Sequence, residues 1–223
     1  MNNDKLRMPF LLDLYEQYLE NQDSAAFAGK AAEWYTTGTL QRLAGHRRRE
    51  IRRAAVLAIG FLGDYAANAC LGRALLDEDR TVRTLADHAI RSVWLRDGSD
   101  EERQRLGLIL RLSAARRYAE AVARATDLIE KAPWFAEAWN QRAIAQFNLE
   151  RFAESIRDGH EVLEINPYHF PAAASMGQAY LELGNQVSAL ESFRRAQRLN
   201  PDLEGVRAHV VRLARIVEGK GQS

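Results

Sequence analysis

Residues 170–203, FPAAASMGQAYLELGNQVSALESFRRAQRLNPDL, carry the pattern on which the fold rests. Gly177, Tyr180, Ala189, Phe193, Ala196 and Pro201 place small, aromatic, small, aromatic, small and proline residues at helical spacings. Windows of 34 residues end at Ala132-Pro133, Asn166-Pro167 and Asn200-Pro201. Self-similarity at that period marks a stacked helical array, in which each unit buries its apolar stripe only against its neighbours. The pattern predicts helices over 100–113, 117–131, 135–148, 152–165, 169–182 and 186–199. A closing helix follows over 203–217, with Val206, Val210, Leu213 and Val217 on one face and Arg207, Arg212 and Arg215 largely off it.

Composition bounds the rest. Of 223 residues 47% are hydrophobic, enough for a continuous core and too many for a disordered chain. The 31 basic and 30 acidic residues nearly cancel, and neither half carries the excess of a dedicated nucleic-acid binder. Cys70 stands alone, so no internal disulfide forms, which fits a reducing, cytoplasmic setting. The apolar cluster Phe10-Leu11-Leu12, with Asp4 and Asp13 nearby, is too brief and too charged for a signal peptide or a membrane span.

Working toward the N-terminus, Ser99 and Glu102 form a capping box that opens the first repeat helix. A second period, of 31 residues, precedes it. Leu40, Ile51, Arg52, Ala55, Ala58, Ile59 and Leu62 reappear as Leu71, Val82, Arg83, Ala86, Ala89, Ile90 and Val93. Ahead of these, Pro9 is placed as a first helical residue, and Phe10 to Glu20 read as an amphipathic helix. Asp23 or Ser24 caps the next one, Gly38 marks a break and Gly45 a stop.

The small-aromatic pattern ending in Asn200-Pro201 resembles the tetratricopeptide repeat, and the 31-residue unit, with its arginine and spaced alanines, resembles the HEAT repeat. Together they imply an all-α fold, a right-handed α-solenoid of stacked antiparallel helix pairs with about twelve helices. The expected organisation is N-terminal helices over 1–37, HEAT-like repeats over 38–98, three tetratricopeptide repeats over 99–203, a capping helix over 204–218 and a flexible tail over 219–223. Two positions depart from the tetratricopeptide pattern. Ile109 faces Ala121 at a crossing that usually holds two small residues, and Gly159 stands where a large aromatic is usual. Gly159 is read as space for a neighbouring ring, Trp134 or Trp139, or as a notch for a ligand.

No phosphate-binding glycine loop, nucleophile elbow or zinc-protease pair occurs. His46, His88, His160, His169 and His209 are scattered without metal-ligand spacing, and Asp77-Glu78-Asp79 reads as a helix-capping turn. The chain is therefore read as no enzyme, without cofactor or metal, and as a scaffold for a protein or peptide partner, with the oligomeric state open. In the resembling family the first helix of each repeat lines the concave face. That resemblance implies a groove of Leu106, Leu110, Asn140, Ile144, Phe147, Asn148, Ala174, Gln178, Leu181 and Glu182, unless Leu106, Leu110 and Ile144 are covered by neighbouring helices. The family's clamp for a C-terminal carboxylate is absent, because its cationic places hold Leu106, Leu110, Gln141, Pro171 and Ser175. Two alternatives stay open. One is a polyanion or nucleic-acid patch at Arg47, Arg48, Arg49 and Arg53, within the arginine-rich segment 42–53; the other is a regulatory subunit of an enzyme complex.

Overall fold

The computed structural model describes residues 10–219, and the expectations for Pro9 and for tail residues 220–223 lie outside them. Among the described residues there are thirteen α-helices, one 3-10 turn and no strand. They divide into two compact units, one ending at Arg96 and the other beginning at Asp97.

The first unit comprises α1 (Phe10–Asn21), α2 (Ser24–Trp34), α3 (Thr37–Leu43), α4 (Arg49–Leu62), a 3-10 turn (Tyr65–Ala67), α5 (Asn68–Ala74) and α6 (Arg80–Arg96). Asp23 caps α2 by accepting from the Ala26 N–H at 2.9 Å. Gly38 does not break the chain. The break is at Tyr35-Thr36, where the Thr36 hydroxyl accepts from the Thr39 N–H and starts α3 with Gly38 inside it. An N-cap threonine outweighs one glycine in a first turn, where backbone N–H groups lack helical partners anyway. The unit is built around α4, which packs on α1, α2, α3 and α6 and is buried continuously from Ala54 to Ile59. A Cβ at Gly60 would sit 3.1 Å from the Ala89 Cβ, so α4 and α6 cross closely. The 31-residue period is structural: α3 and α5 start at 37 and 68, α4 and α6 at 49 and 80.

The arginines of that period bind the turns. Arg52 donates to the carbonyls of His46 and Arg47, and Arg83 to those of Asp77 and Glu78, one period on. The acidic turn also reaches back to the preceding pair: Arg52 forks onto Asp77 at 2.7 and 2.8 Å, and Arg53 onto Asp79 at 2.8 and 2.6 Å. Asp79 additionally accepts from the Val82 N–H, so the acidic triplet does cap a helix.

The second unit comprises α7 (Asp100–Ala114), α8 (Tyr118–Lys131), α9 (Ala136–Asn148), α10 (Phe152–Ile165), α11 (Phe170–Glu182), α12 (Gln186–Leu199) and α13 (Glu204–Gly219). Ser99 and Glu102 form the capping box at the start of α7. Each helix packs on the next, and α7, α9 and α11 also touch in succession. The turn within each pair recurs every 34 residues: Arg116, Glu150 and Gly184 have φ of 57°, 60° and 72°. The following N–H groups of Arg117, Arg151 and Asn185 reach back to the carbonyls of Leu112, Gln146 and Tyr180. The α7–α8 pair is packed less extensively than α9–α10 or α11–α12, as Ile109 at its crossing requires. The gap at Gly159 is filled by Met176, whose Cγ lies 2.5 Å from where a Cβ would stand, and not by an indole ring. Gly177 makes the same room for the Phe193 ring. Helix α13 buries Leu213 and half-buries Val206, Val210 and Val217 against Ala189, Leu190 and Phe193.

Candidate functional site

The first helices of the second and third repeats, α9 and α11, expose a small pocket between them. Ile144, Phe147 and Asn148 from α9 and Ser175 and Gln178 from α11 enclose about 110 Å³. Residues three and four apart share one side of a helix, which is why these five converge. Its lining combines the apolar side chains of Ile144 and Phe147 with the Asn148 and Gln178 amides and the Ser175 hydroxyl. Phe147 is fixed by an edge-to-face contact with Phe152, ring centres 5.3 Å apart. Asn148 donates through Nδ2 to the Ile144 carbonyl at 2.8 Å, which aims its amide while leaving Oδ1 to accept. The Gln178 amide lies 3.1 Å from His209 Nε2, and that ring stacks on Phe193 with centres 4.7 Å apart. Burial, helped by Arg212, lowers the His209 pKa. Arg212 sits 3.2 Å from the other ring nitrogen, His209 Nδ1.

Four of the ten groove positions thus meet in one pocket: Ile144, Phe147, Asn148 and Gln178. The other six do not. Leu106 is buried among Ile109, Leu112 and Ala121, and Leu110 packs on the same cluster. Asn140 is buried and donates to Glu137. Ala174 packs beside Ala173 and Met176, and Leu181 beside Leu190 and Leu213. Glu182 is exposed at the end of α11, outside the pocket lining. Leu106 and Asn140, one period apart, are turned toward packed neighbours, so the open stripe begins one residue later, at Ser175 on α11.

At the N-terminal ends of α9 and α11 lies a buried polar lock that no motif announces. Glu137 on α9 accepts from Asn140 and Gln141 at 2.8 Å each and lies 3.2 Å from His169 Nε2. His169 Nδ1 accepts from the Ala172 N–H and so caps α11. Burial pushes the Glu137 carboxyl up, yet hydrogen bonds from His169, Gln141 and Asn140 overcome it and hold the group ionised. A second lock joins α8, α9 and α10: Arg142 forks onto Asp158 at 2.8 Å twice, donates to the Thr126 hydroxyl and covers the Trp139 ring at 4.8 Å. These contacts fix the helices that present the pocket.

The arginine cluster of the first unit is largely engaged with carboxylates. Arg53 is chelated by Asp79, while Arg48 and Arg49 both face Glu50, at 3.7 and 3.1 Å. Arg47 is exposed. Among the described residues no group of three or more His, Cys, Asp or Glu is placed to hold a metal ion. No helix among them is long and apolar enough to cross a membrane.

Comparison with known families bears on the unit that holds the pocket. Residues 171–203 match the model of the tetratricopeptide repeat. The chain carries that repeat. The Hsp70-Hsp90 organizing protein of wheat, Triticum aestivum, is 27% identical over 95 residues, which is 43% of this chain and 16% of that protein. A TPR repeat-containing protein of Rhizobium etli is 33% identical over 75 residues, 32% of this chain and 37% of that protein. The chain therefore spans less than two fifths of these relatives. Among solved structures, the first TPR of Spaghetti (RPAP3) bound to the HSP90 peptide SRMEEVD aligns with a TM-score of 0.52. It is 19% identical and covers 54% of this chain and 96% of that one. That agreement concerns the tetratricopeptide fold of the shared part.

Proposed function

We propose that this chain is a non-enzymatic interaction adaptor, located in the cytoplasm, that holds a peptide or helix of a partner protein against α9 and α11. The observation that carries the reading is the pocket of about 110 Å³ lined by Ile144 and Phe147 together with the amides of Asn148 and Gln178. Its size suits one aliphatic side chain. The free Oδ1 of Asn148 accepts one backbone N–H of the ligand, a division of labour usual in peptide recognition. We further propose that the first unit is a pair of HEAT-like repeats, on the strength of its 31-residue helix period and the recurring arginine-to-turn contacts.

The ligand differs in kind from the peptide in the RPAP3 complex, which ends in an aspartate and carries two further glutamates. The pocket lining here contains no cation, so a terminal carboxylate finds no ion pair. Selection of random peptides of about twelve residues, on the scale of a short recognition segment, tests the proposal. The expected consensus centres on one aliphatic residue, without a required C-terminal acid, and Ser175→Trp, which plugs the pocket, abolishes binding. No enrichment, or peptides whose binding survives Ser175→Trp in a folded variant, would contradict it.

A further inference from the structure

The side of α11 turned away from the pocket contributes to a second, larger cleft. Ala173, Met176 and Tyr180 lie on the opposite side of that helix from Ser175 and Gln178, by its 100° step per residue. With His160 and Leu163 of α10 and a stripe of α12 they bound about 520 Å³ of open volume. We propose that this cleft docks an acidic amphipathic helix of a protein partner, independently of the pocket between α9 and α11.

The chemistry is legible in the lining. Leu163, Ala173 and Met176 close the bottom of the cleft with only thin edges of their buried side chains showing, and His160 Nε2 stands 3.3 Å from the half-buried Tyr180 hydroxyl at one wall. The α12 residues Ser188, Glu191, Ser192, Arg195 and Arg198 recur at three- and four-residue steps and so share one face. Arg194 is paired with Glu218 at 2.5 Å. Arg195 and Arg198 have no ion-pair partner among the described residues, and Glu191 is the one carboxylate in the lining. The helix dipole favours a cation in the last turn, which accounts for Arg198 but not for Arg195 or the cleft beside it.

Two free guanidinium groups three residues apart on one helix are about 5–6 Å apart at Cβ. A partner helix with carboxylates four residues apart has the same spacing, and its apolar residue at the intervening step meets the half-buried Tyr180 ring and the exposed edges of Leu163 and Met176. The groove between α10 and α12 is the shape into which a third helix packs. A nucleic-acid backbone would meet Glu191 and the apolar edges of Leu163 and Met176, and would find no paired aromatic platform.

Fluorescence anisotropy with a rhodamine-labelled helical probe of about sixteen residues, roughly the length of α12, tests the proposal. The probe has Glu at i and i+4 and Leu at i+3 in each repeat; its control has Gln for Glu, and an oligothymidylate serves as polyanion. The full chain is expected to bind the acidic probe at least about ten-fold more tightly than the control. Arg195→Glu with Arg198→Glu abolishes that preference at unchanged melting temperature, Glu191→Gln strengthens it, and Ser175→Trp leaves it intact. Equal binding of both peptides, binding indifferent to the arginine reversals, or tighter arginine-dependent binding of the oligothymidylate would overturn it. So would no association with the acidic probe up to about 1 mM, the weak end of specific recognition.

Discussion

His169 and Glu137 show how much one buried pair can decide. The imidazole caps α11 with one nitrogen and faces the carboxylate of α9 with the other. His169→Ala removes a cap worth about 1 kcal/mol and leaves a buried carboxylate short of a donor, at about 1–3 kcal/mol. The expected loss is about 2–4 kcal/mol in a denaturant titration. His169→Asn separates the two terms, because asparagine caps a helix but is too short to reach Glu137; it restores only the cap's share. A pH series examines the first unit in the same way. The Arg53 fork beside Asp79 lowers that carboxyl from 3.8 to about 2. A depressed folded pKa gives stability that is complete above the unfolded value and lost as pH falls through the folded one. The gap in melting temperature between wild type and Arg53→Met should therefore be constant above pH 4 and close between pH 4 and 2. A gap that persists at pH 2 would mean that the fork contributes packing alone. Neither pair was legible in the sequence. Their members are 32 and 26 residues apart, and nothing in local spacing links an isolated histidine or arginine to its carboxylate.

At the scale of helices and turns the sequence was far more informative, because the 34-residue register fixes every turn. Predicted helices of the second unit agree with the observed ones to within two residues. Its failures have local causes: the break expected at Gly38 falls instead at the Thr36 cap, and the space at Gly159, expected to take a ring or a ligand, takes Met176 from the next repeat. The turns make a prediction of their own. Arg116 and Glu150 hold left-handed backbone that Gly184 adopts freely. A left-handed side chain costs about 1–2 kcal/mol, and the flexibility of glycine returns about 0.5–1 kcal/mol of that. Glu150→Gly should raise stability by about 0.5 kcal/mol and Gly184→Ala should lower it by about 1 kcal/mol, in parallel thermal melts. The helix crossings rank as sharply. Gly177→Ala drives a Cβ onto three atoms of the rigid Phe193 ring, whereas Gly159→Ala meets an adaptable methionine. Both are expected to cost about 1–3 kcal/mol, the second toward the lower end because the methionine can change rotamer.

For the whole molecule, the all-α architecture and its two periods can be read from residue spacing, but the pocket and cleft proposed here for recognition can be read only in part. Half-legibility of the groove has a geometric origin. Positions 144, 147, 148 and 178 are open while 106 and 140 are turned into packed seams, a difference that no pattern of small and large side chains records. The cleft at Arg195 and Arg198 was missed for a different reason, since its floor and walls come from three helices whose cleft-lining residues look like ordinary packing in isolation. On the proposed reading the two surfaces make an adaptor with one side-chain pocket and one acidic-helix cleft in the same unit. The most direct test of the pocket is amide chemical-shift mapping of the full chain titrated with a display-selected peptide. The account predicts the largest shifts at 144–148 and 175–178, removed by Ser175→Trp. Shifts that spare those segments and appear elsewhere in the chain would contradict it.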